Sequence, residues 1–121
     1  QLKTLCMLHI RPATPADADA LWIILQPVIA TGDTYALAPD TSRAEMLAYW
    51  QGPDKHCYVA EDAGQVVGTF WLKDNQPGQG SHVANGAYMT LPGAAGRGVG
   101  RAMGLFSIEE ARRLGYRAMQ F

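Results

Sequence analysis

A chain of 121 residues, 48% of them apolar and 17% charged, has the size and composition of one globular domain able to bury a core. Its formal net charge of −1 offers no long-range pull toward nucleic acid or an anionic membrane, and no apolar run approaches the ~20 residues of a membrane-spanning helix. Cys6 and Cys57 lack any CxxC spacing and nothing near the start reads as a signal peptide, so free thiols in a reducing, cytoplasmic setting are expected.

The first element is a short strand around residues 7 to 11, ahead of the turn in "HIRPAT". Thr14, Pro15 and Asp17 then form a helix start, with a hydroxyl cap, a proline in the first turn and a carboxylate at the positive end. Ala18, Leu21, Trp22 and Leu25 recur at helical spacing and predict a helix from 15 to about 26. "ATGDTYALAPD" is a loop, and Asp40 or Thr41 can cap a second helix from about 42 to 50.

Strand signals follow. "HCYVAED" and "QVVGTFWLKD" flank Ala63 and Gly64 and predict a tight hairpin. "NQPGQG" is a second turn-rich connector, and residues 81 to 91 form the next strand. Gly86 inside that strand marks a bulge or a close backbone approach. The flanking Glu61 and Asp62 read as solvated, and Trp50, Trp71 and Met103 as core.

The stretch "PGAAGRGVG" then places four glycines just before an amphipathic run. Val99, Met103, Phe106, Ser107, Ala111 and Leu114 share one side of a helix, and Arg101, Glu109, Arg112 and Arg113 the other. Glu110 falls awkwardly on the apolar side, Gly115 suits a left-handed stop, and "YRAMQF" opens a fifth strand.

Glycines ahead of a helix start clear the way to unpaired N–H groups at its positive end, which suits a phosphate-bearing ligand. Arg97 and Arg101 add local positive charge. The P-loop pattern fails because Val99 and Gly100 stand where Lys and a hydroxyl are needed, and the dinucleotide pattern fails at its third glycine.

The run "TLPGAAGRGVGRAMG" resembles the pyrophosphate loop of the GNAT superfamily of acyl-CoA N-acyltransferases. Thr90 stands at the position of the valine in the V-x-P that precedes that loop, Pro92 matches its proline, Gly98-Val99-Gly100 its G-x-G and Arg101-Ala102 its continuation, while Ala95 departs from the usual Gln or Arg. "IRPATPADADAL" and "YVAEDAGQVVGTFWL" are similar to the family's opening strand and helix and to its next two strands.

The resemblance implies an α+β fold with a mixed, mainly antiparallel sheet flanked by helices, in the order β-α-α-β-β-β-α-β. It implies a single acetyl-CoA-binding domain over 1–121. The family continues with a helix and two strands that carry its usual acid, a tyrosine, and these would lie past Phe121. The catalytic base and acid are therefore unassigned. No metal is expected.

The implied chemistry is direct attack of an amine on the acetyl thioester. The cofactor residues it implies are Met89, Thr90 and Leu91, through their backbone, with Gly96, Arg97, Gly98, Val99, Gly100, Arg101 and Ala102. Asn85, an amide in mid-strand, is the first candidate for the acceptor, with Thr34 and Tyr35 in the loop between the helices. His82 is a weaker candidate base. The expected partner is a small amine, an amino acid or its analogue, with neither nucleic acid nor membrane; a homodimer is left open. The alternative is a non-catalytic CoA-binding or assembly domain.

Overall fold

The computed structural model describes residues 8–31, 40–74, 83–94 and 98–120, with the side chains of 28–31 and 120 excepted. Five strands lie side by side in sequence order: β1 (Leu8–Pro12), β2 (His56–Asp62), β3 (Gln65–Asp74), β4 (Val83–Thr90) and β5 (Ala118–Gln120). The first three pairings are antiparallel and β4 runs parallel to β5. This is the mixed, mainly antiparallel α+β arrangement expected. Helices α1 (Ala18–Thr31) and α2 (Arg43–Trp50) cover one face, and α3 (Val99–Arg113) covers the other.

Several element ends differ from the sequence expectation. Pro15–Asp17 forms a 3₁₀ turn whose closure depends on Asp17: its carboxylate accepts from Thr14 N–H at 2.7 Å. Helix α1 then runs through Pro27 to Thr31, beyond the expected stop near 26. Proline removes one backbone donor there, and Leu21, Ile24 and Leu25, fully buried just before it, anchor the helix to the core. The cap of α2 is Ser42, not Asp40 or Thr41. Ser42 Oγ accepts from Glu45 N–H at 3.1 Å while Glu45 accepts from Ser42 N–H at 2.9 Å, a reciprocal capping box.

Glu61 is not a solvated turn residue. Arg11 donates to Glu61 at 3.0 Å and to both oxygens of Asp17 at 2.8 and 2.9 Å, tying β1, β2 and the 3₁₀ turn together. The two carboxylates hold the guanidinium well above its usual range, and that guanidinium in turn holds Asp17 below the ordinary carboxylate range.

The irregularity of the sheet also lies elsewhere than expected. β4 pairs with β3 without interruption through Gly86, opposite Leu72. What Gly86 permits is a close approach: a Cβ there would stand 2.8 Å from the Tyr88 hydroxyl. The register shift instead separates Ala60 and Glu61, opposite Gly68 and Val66, and leaves Val67 as the extra residue. Val67 and Gly68 consequently both face α3, where a Cβ on Gly68 would stand 2.9 Å from Met103 Sδ and 2.9 Å from Val99 Cγ1. The start of α3 rests directly on that bare backbone.

Candidate functional site

The two edges of β4 differ. Its inner edge pairs with β3 from Ala84 to Thr90, whereas its outer edge pairs with β5 over Val83–Asn85 alone among the described residues. Leu91 donates its N–H to Val67 O at 2.8 Å and accepts from Ala94 N–H at 2.9 Å. Amide directions alternate along an antiparallel ladder, so Met89 also turns inward and Thr90 turns its N–H to the outer edge. Of the three backbone groups expected to face a thioester carbonyl, Thr90 is the one presented outward; that of Leu91 is committed to β3.

Beyond β4 the chain turns at Pro92 and Gly93 (φ +91°), Ala94 is buried, and α3 begins at Val99 after Gly98. Gly98 has φ +80°, a left-handed value that favours glycine. A Cβ on Gly93 or Gly98 would meet nothing within 4 Å, and one on Gly100 would meet Thr90 Oγ1 at 3.9 Å. Among the described residues, nothing crowds the backbone at Gly93 or Gly98. The first helical hydrogen bond runs from Ala102 N–H to Gly98 O at 2.9 Å. The N–H groups of Val99, Gly100 and Arg101 therefore have no acceptor four residues back within the helix. Val99 packs its side chain into the core and Arg101 projects outward. This arrangement can hold a pyrophosphate, with backbone donors below and one guanidinium beside it. Gly96 and Arg97 lie outside the described residues.

Helix α3 is held in place by polar pairs along its buried side. Tyr58 donates its hydroxyl to Glu110 at 2.6 Å, and Arg113 donates two hydrogen bonds to the same carboxylate at 2.9 and 2.6 Å. That accounts for a glutamate on the apolar side. Arg113 foremost, then the Tyr58 hydroxyl, hold the Glu110 carboxyl down at about 2 against the opposing effect of burial. Burial, and then Glu110, push the Tyr58 phenol upward. Farther along, the Tyr88 and Ser107 hydroxyls lie 2.7 Å apart, and Ser107 donates to Gly104 O at 2.7 Å. Tyr58, Phe70 and Tyr88 stack beneath, with ring centroids 4.8 and 5.4 Å apart.

The opposite face carries Asn85. Side chains alternate along β4, so Asn85, Ala87 and Met89 share the face covered by α1 and α2. Asn85 stands opposite Lys73 and Ala87 opposite Trp71 on β3. Trp50 reaches down from α2 and donates Nε1–H to Thr69 Oγ1 at 3.0 Å, and the Thr69 hydroxyl donates in turn to Tyr58 O at 2.7 Å. Trp71 Nε1, also buried, has no hydrogen-bond partner among the described residues. The sequence placed Trp71 in the core and missed this polar end; the strand register with Lys73 and Asn85 is the signal that exposes it. Thr34, Tyr35 and His82 lie outside the described residues. The Cys57 thiol is pushed up to about 11 by burial and stays protonated near neutrality, unlike a reactive thiolate.

The sequence model of the acetyltransferase (GNAT) family matches residues 27–121. A GCN5-related N-acetyltransferase from Kribbella flavida superposes with a TM-score of 0.88 at 37% identity, covering 97% of this chain and 72% of that one. The yncA protein of Salmonella typhimurium, solved with its cofactor acetyl-CoA, gives a TM-score of 0.75 at 26% identity, covering 93% and 68%. The N-acetyltransferase aca1 of Schizosaccharomyces pombe is 32% identical over 56 residues, a match spanning 46% of this chain and 27% of that protein. No helix among the described residues is long and apolar enough to cross a membrane.

Proposed function

This chain belongs to the GNAT family of acetyltransferases, and from that premise we propose that it moves an acetyl group from acetyl-CoA to the amine of a small molecule. The observation that carries the reading is the open glycine turn at the start of α3, set against the outward-facing edge of β4. Acetyl-CoA supplies an activated acetyl thioester. The N–H groups of Val99, Gly100 and Arg101 bind the pyrophosphate, and the Gly98 backbone leaves room for it. Thr90 directs its N–H at the outer edge of β4, where a carbonyl oxygen gaining charge would be stabilised. Asn85, farther along the strand on the α1/α2 face, orients the acceptor amine. The amine attacks the carbonyl carbon, a C–N bond forms, the C–S bond breaks, and the ammonium proton passes to water. The CoA thiolate is the leaving group. The cytoplasm is the proposed location, resting on two cysteines without CxxC spacing in the sequence.

The test couples calorimetry to thiol release. Acetyl-CoA should bind, and free CoA should appear when a panel of small amines is added. Asn85→Ala should leave acetyl-CoA affinity unchanged and lower kcat/KM for the best acceptor by about 10-fold, the loss expected when amine positioning fails. Wild-type kcat/KM in that variant would reduce Asn85 to an ordinary strand residue. Binding without turnover of any amine would favour the non-catalytic CoA-binding reading.

A further inference from the structure

In the proposed reaction, acetyl-CoA is held at two places that belong to different elements. The N–H groups of Val99, Gly100 and Arg101 take its pyrophosphate, and Thr90, on the outer edge of β4, faces its thioester. The two places adjoin, since a Cβ on Gly100 would stand 3.9 Å from Thr90 Oγ1. A ligand gripped at both ends gains from the second grip only where their spacing matches its own. A side chain ties the two elements together just behind this junction. Tyr88 stacks on Phe70, ring centroids 5.4 Å apart, and its hydroxyl stands 2.7 Å from Ser107 Oγ on α3. Ser107 gives its one proton to Gly104 O at 2.7 Å, so the bond between the two hydroxyls is donated by Tyr88. Tyr88 is two residues from Thr90, about 7 Å along a strand. Gly104 is four residues from Gly100, about 6 Å along a helix. The tie therefore meets the backbone of each element close behind its grip. Gly86 makes room for it: a Cβ there would stand 2.8 Å from the Tyr88 hydroxyl and 3.1 Å from Tyr88 Cε1.

We propose that Tyr88 is a positioning residue for the cofactor: through Ser107 it sets the gap between the Thr90 amide and the first turn of α3, and so lets acetyl-CoA engage both at once. Tyr88 touches no reacting atom and acts through Thr90 and the helix start. The proposal rests on the acetyltransferase reading for its ligand. The Tyr58–Glu110 pair supplies an internal control. It also joins the sheet to α3, at 2.6 Å, but ten residues beyond Gly100, about 15 Å along the helix.

Three probes separate the grips from their spacing. ADP carries the diphosphate alone, S-acetylpantetheine the thioester arm alone, and acetyl-CoA both; calorimetry follows the binding of each. Tyr88→Phe keeps the ring and removes the donor. It should weaken acetyl-CoA binding about 5-fold, the size of one lost hydrogen bond, and leave ADP and S-acetylpantetheine at wild-type affinity. Ser107→Ala should do the same, and the double variant should lose no more than either single one, because both remove one tie. Tyr58→Phe should leave all three affinities unchanged, even where urea unfolding shows a comparable loss of stability. Loss of all three ligands together in Tyr88→Phe, or the Tyr88 pattern repeated in Tyr58→Phe, would reduce Tyr88 to general support and overturn the proposal. Unchanged acetyl-CoA affinity in Tyr88→Phe would overturn it too. A wild-type protein that binds none of the three probes would remove the acetyltransferase reading and the proposal with it; one that binds them all, with variants that match it, would remove the positioning role alone.

Discussion

Beneath α3, the sheet pairs its polar side chains inside the protein: Tyr58 with Glu110, Tyr88 with Ser107, and Ser107 with the Gly104 carbonyl. Beneath α1 and α2, Trp50 is completed by Thr69, while the buried Trp71 Nε1 has no partner among the described residues. The first face behaves as a mount. Its hydrogen bonds fix α3, and the groups proposed to meet acetyl-CoA are backbone amides at the helix start. The second face sets the Trp71 ring near Lys55 and Lys73, with Asn85 opposite Lys73 on the neighbouring strand. On the proposed reading, the acetyl-CoA phosphates are held at the helix start on one side of the sheet, and Asn85 meets the acceptor on the other.

The strongest way to break that division is to crowd the mount's open end. Gly98→Val combined with Gly100→Val should weaken acetyl-CoA binding at least ~10-fold, about 1.4 kcal/mol, because β-branched bulk would enter the space over the donors. Gly98 also carries φ +80°, which valine adopts only under strain. Calorimetry on the folded variant decides this; unchanged affinity would mean that the turn holds no anion.

A smaller effect should come from the mount's interior. Tyr58→Phe removes a donor to Glu110 and should cost about 1 kcal/mol in urea unfolding at neutral pH. It should also move acid unfolding to higher pH. The Glu110 carboxyl is lowered from the usual 4.5 to about 2, so its contribution is fully present above ~4.5 and is lost as pH falls toward 2. With one donor gone that window narrows from below. Acetyl-CoA affinity should hardly move. A large loss of affinity together with unchanged stability would erase the distinction between support and binding on this face.

The smallest effect belongs to Arg101, exposed on the first turn of α3. Arg101→Gln should weaken acetyl-CoA binding no more than a few-fold and flatten its dependence on salt, as expected of a screened attraction. Identical salt slopes in both proteins would place Arg101 away from the phosphates.

The strand and helix order, the hairpin at Ala63–Gly64 and the glycine turn were legible in the sequence because periodicity and backbone chemistry are local properties. Ser42 was legible too, through the Ser-x-x-Glu spacing to Glu45, but Asp40 and Thr41 offered competing caps. The passage of α1 through Pro27 was not legible, because the packing of Leu21, Ile24 and Leu25 outweighs one lost hydrogen bond. Gly86, read as a bulge or a close backbone approach, is the close approach, and the bulge at Val67 was not anticipated. A bulge is a relation between two strands, and only the pairing of Ala60 with Gly68 and Glu61 with Val66 reveals it. At the site, the helix-start donors could be anticipated from glycine spacing. Which of Met89, Thr90 and Leu91 presents its amide depends on ladder register, and so does the placing of Lys73 opposite Asn85.

Gly68 touches no proposed ligand, yet it sets how deeply the first turn of α3 settles onto β3, with Val99 and Met103 pressed against its Cα. It works as a shim of zero thickness. A single methyl inserted there would lift or tilt the helix start by tenths of an ångström while leaving every anion-facing atom chemically intact. Cofactor grip can therefore drift through a residue buried on the far side of the contact, and an inventory of ligand-touching positions would not identify the cause.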